Sequence, residues 1–274
     1  MADEVPLHLR QVVYTLPNVD QVHVHHDVPY HGPDGTTLLL DAYAPASPPS
    51  PGPLPGVLFI HGGPIPRDLN IKGSGQYRGW GALAATSGFV GFTFNHRYFA
   101  PRLLGQSVDD VLTTVDFVRT KAADFSLDPE RLCIWACSGG GPHLAPILRD
   151  QPTYVRCIAA YYAYLDARQM PSLAEALDAK TLERYSPITY LAANTRHCPI
   201  LVARAGLDNP VLNQTIDDFA LRAFTVNWNV EILNHAEGHH GFDVTDANRR
   251  SRHIIARTLA FMQEHAQPEA ISAA

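Results

Sequence analysis

The stretch that most constrains this chain runs from Arg131 to Pro142. It opens on an apolar run, Leu132 to Ala136, passes through Cys137, Ser138 and three glycines, and continues into His143 to Leu148. The pattern predicts a buried strand, a very tight turn and a helix, with Ser138 at the apex. The residues two positions either side of it, Ala136 and Gly140, are both small. A turn that sharp crowds the residues flanking its tip and needs small ones there. The tip residue is forced towards a left-handed backbone, which lifts its side chain clear of the sheet. Its hydroxyl then lies at a helix N-terminus, where backbone N–H groups face any developing negative charge. An ordinary glycine-rich strand-to-helix loop shares this local sequence, so the reading depends on partners elsewhere in the chain.

The flanking sequence reads as alternating strands and helices. Val22–Val28 and Thr36–Tyr43, separated by a Pro29–Gly35 turn, form an antiparallel hairpin. Residues 1–20 read as a surface arm, and residues 44–55, rich in proline and serine, as a loop. Strands are expected at Gly56–Ile60, Phe89–Phe94, Leu132–Ala136, Val155–Tyr164, Pro199–Ala205 and Trp228–Leu233. Helices are expected at Arg78–Thr86, Gln106–Ala123, Leu212–Ala223 and Asp246–Glu264. In the second of these Val108, Val111, Leu112, Val115 and Val118 make an apolar stripe. Leu127 to Glu130 reads as a turn and residues 267–274 as a frayed tail. Such alternation predicts an α/β fold with a mostly parallel sheet covered by helices on both faces. No composition break splits the chain, so residues 1–274 are expected to form one domain, with 166–197 as a possible small cap-like insertion.

Composition removes several function classes. A net charge of −6 without a Lys/Arg cluster argues against nucleic acid as a partner. No apolar run is long enough to span a bilayer, and the first residues lack the basic-then-apolar pattern of a signal peptide, so a cytoplasmic protein with no membrane partner is expected. Cys133, Cys137, Cys157 and Cys198 have no metal-type spacing, and Cys133 and Cys157 sit in apolar runs, so reduced core thiols are expected. His23, His25, His26 and His31 are irregularly spaced and read as an exposed edge, so no metal site is expected.

A serine hydroxyl is a poor nucleophile unless a base takes its proton and a third group orients that base. In a parallel sheet the loops after the strands converge on one edge. Asp208 follows the strand 199–205, and His240 follows the strand 228–233 within Gly238-His239-His240-Gly241-Phe242. His235 and His239 are alternative bases, and Asp208 has an alternative reading as a helix N-cap. The loop after the strand 56–60 carries His61-Gly62-Gly63-Pro64.

Taken together, His61-Gly62-Gly63, Ala136-x-Ser138-x-Gly140, Gly206-x-Asp208 and His240-Gly241-Phe242 resemble the motifs of the α/β-hydrolases, and among them the esterase and dienelactone-hydrolase-like members. The resemblance covers about residues 20–265. It implies Ser138 as nucleophile, His240 as base, Asp208 as orienting acid, and an oxyanion hole from the Gly139 N–H with a second donor in the upstream loop. Pro64 has no N–H, which leaves Gly63, with Gly62 next. Tyr98, Phe99 and Tyr164 are candidate pocket-lining residues, and Arg67 and Arg97 candidate carboxylate binders. The implied reaction is hydrolysis of a small or medium carboxylic ester through an acyl-enzyme on Ser138, without a cofactor, by a monomer or homodimer. Amidases, including arylformamidases, and small-peptide hydrolases share these motifs; a hydrolase-like binding protein is the non-enzymatic alternative.

Overall fold

Eight strands among the described residues pair into one sheet that brings the loops of interest to a common edge. The computed structural model describes residues 9–47, 52–192 and 198–267. Parts of the expected N-terminal arm, the proline-rich loop, the cap-like segment and the C-terminal tail lie outside the described residues. The strands are β1 (Val22–His31), β2 (Thr37–Pro45), β3 (Leu54–Ile60), β4 (Val90–Phe94), β5 (Leu127–Cys137), β6 (Val155–Tyr161), β7 (Ile200–Ala205) and β8 (Val230–His235). Their order is β1-β2-β4-β3-β5-β6-β7-β8. β1 pairs antiparallel with β2, and β2 antiparallel with β4; all remaining pairs are parallel. The expected hairpin and mostly parallel sheet are both present. His23 and His25 are exposed on the edge strand β1.

The helices are α1 (Gly75–Thr86), α2 (Leu104–Thr120), α3 (Ala145–Asp150), α4 (Pro171–Ala176), α5 (Ala179–Arg184), α6 (Pro210–Thr225), α7 (Phe242–Thr245) and α8 (Arg249–His265). One sheet face is an aromatic layer. Register places Phe59 beside Trp135, and Tyr161 follows on the same face. Trp80 of α1 packs 5.2 Å from the Trp135 ring, and Tyr161 donates or accepts a 2.6 Å bond with Thr258 of α8. Such ring pairs add about 0.5–1.5 kcal/mol each beyond their buried area. On α2, Val108, Val111, Val115 and Val118 are buried at helical spacing, as the stripe predicts.

Three expectations need correction. Leu127 to Glu130 belongs to β5, because Leu127 pairs with Leu54 ahead of an irregularity in the register. The chain after Ser138 first forms a 3₁₀ turn, Ser138–Leu144, and becomes α-helical only at Ala145; its three glycines and Pro142 disfavour an α-helical start. The short helix α7 forms just ahead of the expected final helix from Asp246, in a stretch for which no helix is expected.

Within 166–192 the short helices α4 and α5 bury Leu173 and Leu182. These pack with Met170 and Tyr185 against Tyr98, Leu104 and Val108, making a small second core over the N-terminal end of α2. The Asp178 side chain caps α5 by accepting from the Thr181 N–H.

Candidate active site

Strand β5 delivers Ser138 to the edge of the sheet with φ +52°, in the left-handed region disfavoured for a residue with a Cβ. The loop after β3 lies directly against this turn. A Cβ on Gly62 would come within 2.8 Å of the Ser138 Cβ, and one on Gly139 would run into the Gly63 carbonyl. These two glycines are therefore required by contact between the two loops. The Gly63 N–H and the Gly139 backbone lie together beside Ser138, and among the described residues no hydrogen bond takes the Gly63 N–H. The Gly62 backbone faces the Tyr77 hydroxyl and the Cys137 thiol and weakly opposes the upward shift that burial gives both.

The loop is held from beneath by His61, which is fully buried. Its Nδ1 lies 2.6 Å from the Gly62 carbonyl oxygen, and its Nε2 accepts from the His96 N–H at 3.3 Å. A neutral ring donating from Nδ1 satisfies both contacts. The His96 ring stacks on His61 at 3.5 Å, and His143 follows at 4.6 Å. Burial keeps all three neutral, with His61 lowered to about 4, His143 to about 3 and His96 well below its usual value.

Asp208 and His240 meet although 32 positions separate them. His240 Nδ1 lies 2.7 Å from Asp208 Oδ2, with the Asp208 side chain 5% exposed and His240 39% exposed. Asp208 Oδ1 accepts the Asn209 N–H at 2.6 Å. The cap of α6 is Asn209, whose side chain accepts from the Val211 N–H, so the alternative reading of Asp208 as the cap fails. His239 is exposed and bonded to Asp246. His235 is buried against Asn248 and Ser251. His240 is thus the histidine that shares a cavity with Ser138. That cavity, about 240 Å³, is also lined by Gly62, Gly63, Gln76 and Tyr162. Ser138 Oγ itself makes no hydrogen bond among the described residues and faces this space. Cys137 is buried 3.2 Å from the Tyr77 hydroxyl, and burial pushes its thiol up to about 12, which keeps it protonated and unreactive.

The other candidates lie apart from this cavity. Tyr98 is fully buried beneath the Gly63 backbone and its ring packs 5.5 Å from His143, so it supports the loop and does not line the pocket. Phe99 is half-buried under the Arg67 guanidinium at 4.8 Å. Tyr164 donates its backbone N–H to the Ser138 carbonyl at 3.1 Å, and Asp208 acts on its hydroxyl. Arg97 is committed to Asp110 through its backbone N–H, Nε and Nη2, and to Asp34 through Nη1.

Sequence reasoning missed the polar group under the cavity. Asp243, fully buried, accepts from Trp80 Nε1 at 2.8 Å, Gln76 Nε2 at 2.9 Å and the Tyr162 hydroxyl at 2.6 Å. The Tyr162 ring lies 4.7 Å from His240, at a backbone φ of +35°. Asp243 lies only three positions after His240 and has partners separate from the His240–Asp208 pair.

The BD-FAE family model matches residues 40–150. A search of curated protein sequences finds no match. Solved structures align over nearly the whole chain. Brefeldin A esterase, a bacterial homologue of human hormone-sensitive lipase, is 20% identical, covering 95% of this chain and 81% of its own at a TM-score of 0.71. A bacterial heroin esterase is 19% identical, covering 93% and 88% at 0.73. A fungal esterase from Rhizomucor miehei is 16% identical, covering 91% and 84% at 0.72. The fold is that of an α/β-hydrolase. In an α/β-hydrolase sheet the loops after β3, β5, β7 and β8 share one edge, and here they carry Gly63, Ser138, Asp208 and His240 respectively. No helix among the described residues is long and apolar enough to cross a membrane. No cluster of three or more His, Cys, Asp or Glu among them is arranged to hold a metal ion.

Proposed function

We propose that the protein is a serine hydrolase acting on a small carboxylic ester, with Ser138 as nucleophile, His240 as base and Asp208 as the group that orients it. The observation that carries this reading is the 2.7 Å His240–Asp208 contact beside a strained serine in one shared cavity. Asp208 holds the proton on Nδ1, which leaves Nε2 free to take the Ser138 proton. Ser138 Oγ attacks the ester carbonyl, and the oxyanion accepts from the Gly139 and Gly63 N–H groups. The alcohol leaves with the proton carried by His240. Water, deprotonated by His240, then attacks the acyl-enzyme, and the acid departs as Ser138 regains its proton. The Gly63 N–H, unpaired among the described residues and beside the Gly139 backbone, is favoured as the second donor. Each such donor contributes on the order of 3 kcal/mol of barrier lowering. A cavity of about 240 Å³ supports a small substrate. The esterases among the structural neighbours support the reaction class.

The test is p-nitrophenyl acetate hydrolysis by the wild-type protein and by Ser138→Ala, with folding checked by circular dichroism. The variant is expected to fold and to lose turnover. Wild-type activity in a folded Ser138→Ala protein overturns the assignment.

A further inference from the structure

Gln76, the second residue of α1, lines the cavity beside Ser138 and is half-buried. Its amide orientation follows from the groups behind it. Asp243, as a carboxylate, can only accept hydrogen bonds. The Tyr162 hydroxyl, 2.6 Å from Asp243 Oδ1, must therefore donate there, leaving its oxygen to accept. Both groups facing Gln76 are then acceptors, at 2.9 Å for Asp243 Oδ2 and 2.8 Å for the Tyr162 oxygen. Only the Nε2 end of the amide, with its two N–H bonds, fits against them. The flipped amide would set its oxygen against a carboxylate, a repulsion with no compensating bond.

The other end of the amide is fixed by the same argument. Among the described residues Gln76 Oε1 has no hydrogen-bond partner, and it is not sealed from solvent. It is the end of the amide turned away from Asp243 and Tyr162, on a side chain that lines the cavity. Away from Ser138 and His240, the nearby wall comprises Ile65, Ile71 and Val244, and the Tyr77 and Tyr162 hydroxyls are already engaged. Among the described lining side chains, Gln76 Oε1 is the free acceptor remaining. A buried network of four side chains, Gln76, Trp80, Tyr162 and Asp243, fixes the position of this one oxygen.

We propose that Gln76 is a specificity-determining residue whose Oε1 accepts a hydrogen bond from the substrate. This selects esters that carry a hydroxyl or N–H in the fragment entering the cavity over apolar isosteres. The inference rests on the ester-hydrolase reading above. A substrate donor replaces the water otherwise bonded to Oε1, whereas a methyl in its place leaves the oxygen unpaired in an apolar pocket. A single neutral bond of this kind corresponds to roughly a fivefold preference in kcat/KM.

The experiment uses two isosteric pairs, p-nitrophenyl glycolate against propionate for the acyl side, and 2-hydroxyethyl acetate against propyl acetate for the alcohol side. Each ester is corrected for its uncatalysed hydrolysis rate. Wild type is compared with Gln76→Leu and Gln76→Lys, the latter retaining a donor towards Asp243 while removing the acceptor. The wild-type protein is expected to prefer the hydroxylated member of at least one pair about fivefold. Both variants are expected to lose that preference while still hydrolysing the apolar member. Wild type preferring neither hydroxylated ester, or variants keeping the preference, overturns the role of Gln76 while ester hydrolysis stands. If wild type hydrolyses none of the four esters, the ester-hydrolase reading fails and this inference fails with it.

Discussion

His240 owes its place to Asp208 more than to its own loop. It is the more exposed partner of the pair, and the carboxylate fixes its tautomer and the direction of the ring. Asp208→Asn keeps the shape but can present an amide N–H to Nδ1, which favours the tautomer with its proton on the wrong nitrogen. On the proposed mechanism kcat for p-nitrophenyl acetate falls on the order of 10⁴-fold while KM changes little. A loss below about tenfold would remove Asp208 from the mechanism. The three residues of this arrangement were legible in the sequence because each follows an apolar strand. The group beneath them was not. Gln76, Tyr162 and Asp243 lie 81 to 167 positions apart, on an ordinary helix, a strand end and a four-residue helix. No spacing or periodicity connects them, and only the folded sheet brings them together. Tyr98 failed as a pocket candidate for a related reason: a residue after a strand can turn under the neighbouring loop as readily as into the cavity.

The elements themselves were readable where burial dominates. The central strands β3 to β7 are built around buried apolar stretches such as Gly56–Ile60 and Leu132–Ala136, as expected for strands covered on both faces. Reading failed where polar residues sit in a strand, as in the first residues of β5. There Arg131 bonds Asp128 at 2.7 Å, so the charges are paired without leaving the strand. Arg97 shows the converse, an apparently free cation that is tied to α2. Asp110 is fully buried, and the Arg97 side chain is only 12% exposed. Removing one member leaves the other charge in an apolar setting, which typically costs about 3–5 kcal/mol. Asp110→Ala is expected to lower the urea midpoint by a corresponding amount without changing the slope. The paired change Arg97→Met with Asp110→Leu should cost less than Asp110→Ala alone; a single-variant loss under about 1 kcal/mol would mean the pair is not structural.

At the scale of the whole molecule, the stacked histidines His61, His96 and His143 link stability to pH. Burial lowers all three in the folded protein, whereas in the unfolded chain they titrate near the ordinary value of 6.5. Below that value the unfolded chain binds more protons than the folded one. Stability is therefore fully present above about pH 6.5 and declines as pH falls towards about 4 for His61 and 3 for His143. Each histidine contributes a slope of up to about 1.4 kcal/mol per pH unit. Urea unfolding between pH 7.5 and 5, above the main carboxylate range, is expected to show this decline; a flat profile there would contradict it. The same stack underlies the loop carrying Gly62 and Gly63, so this side of the cavity belongs to the core of the fold. The account turns on Ser138 as an activated nucleophile, and covalent trapping tests it most directly. The protein is treated with a fluorophosphonate, digested, and the modified peptide mapped by mass spectrometry. The account predicts one adduct, on Ser138, absent in Ser138→Ala and much slower to form in His240→Ala. An unlabelled wild-type protein, or an adduct on any other residue, would contradict it.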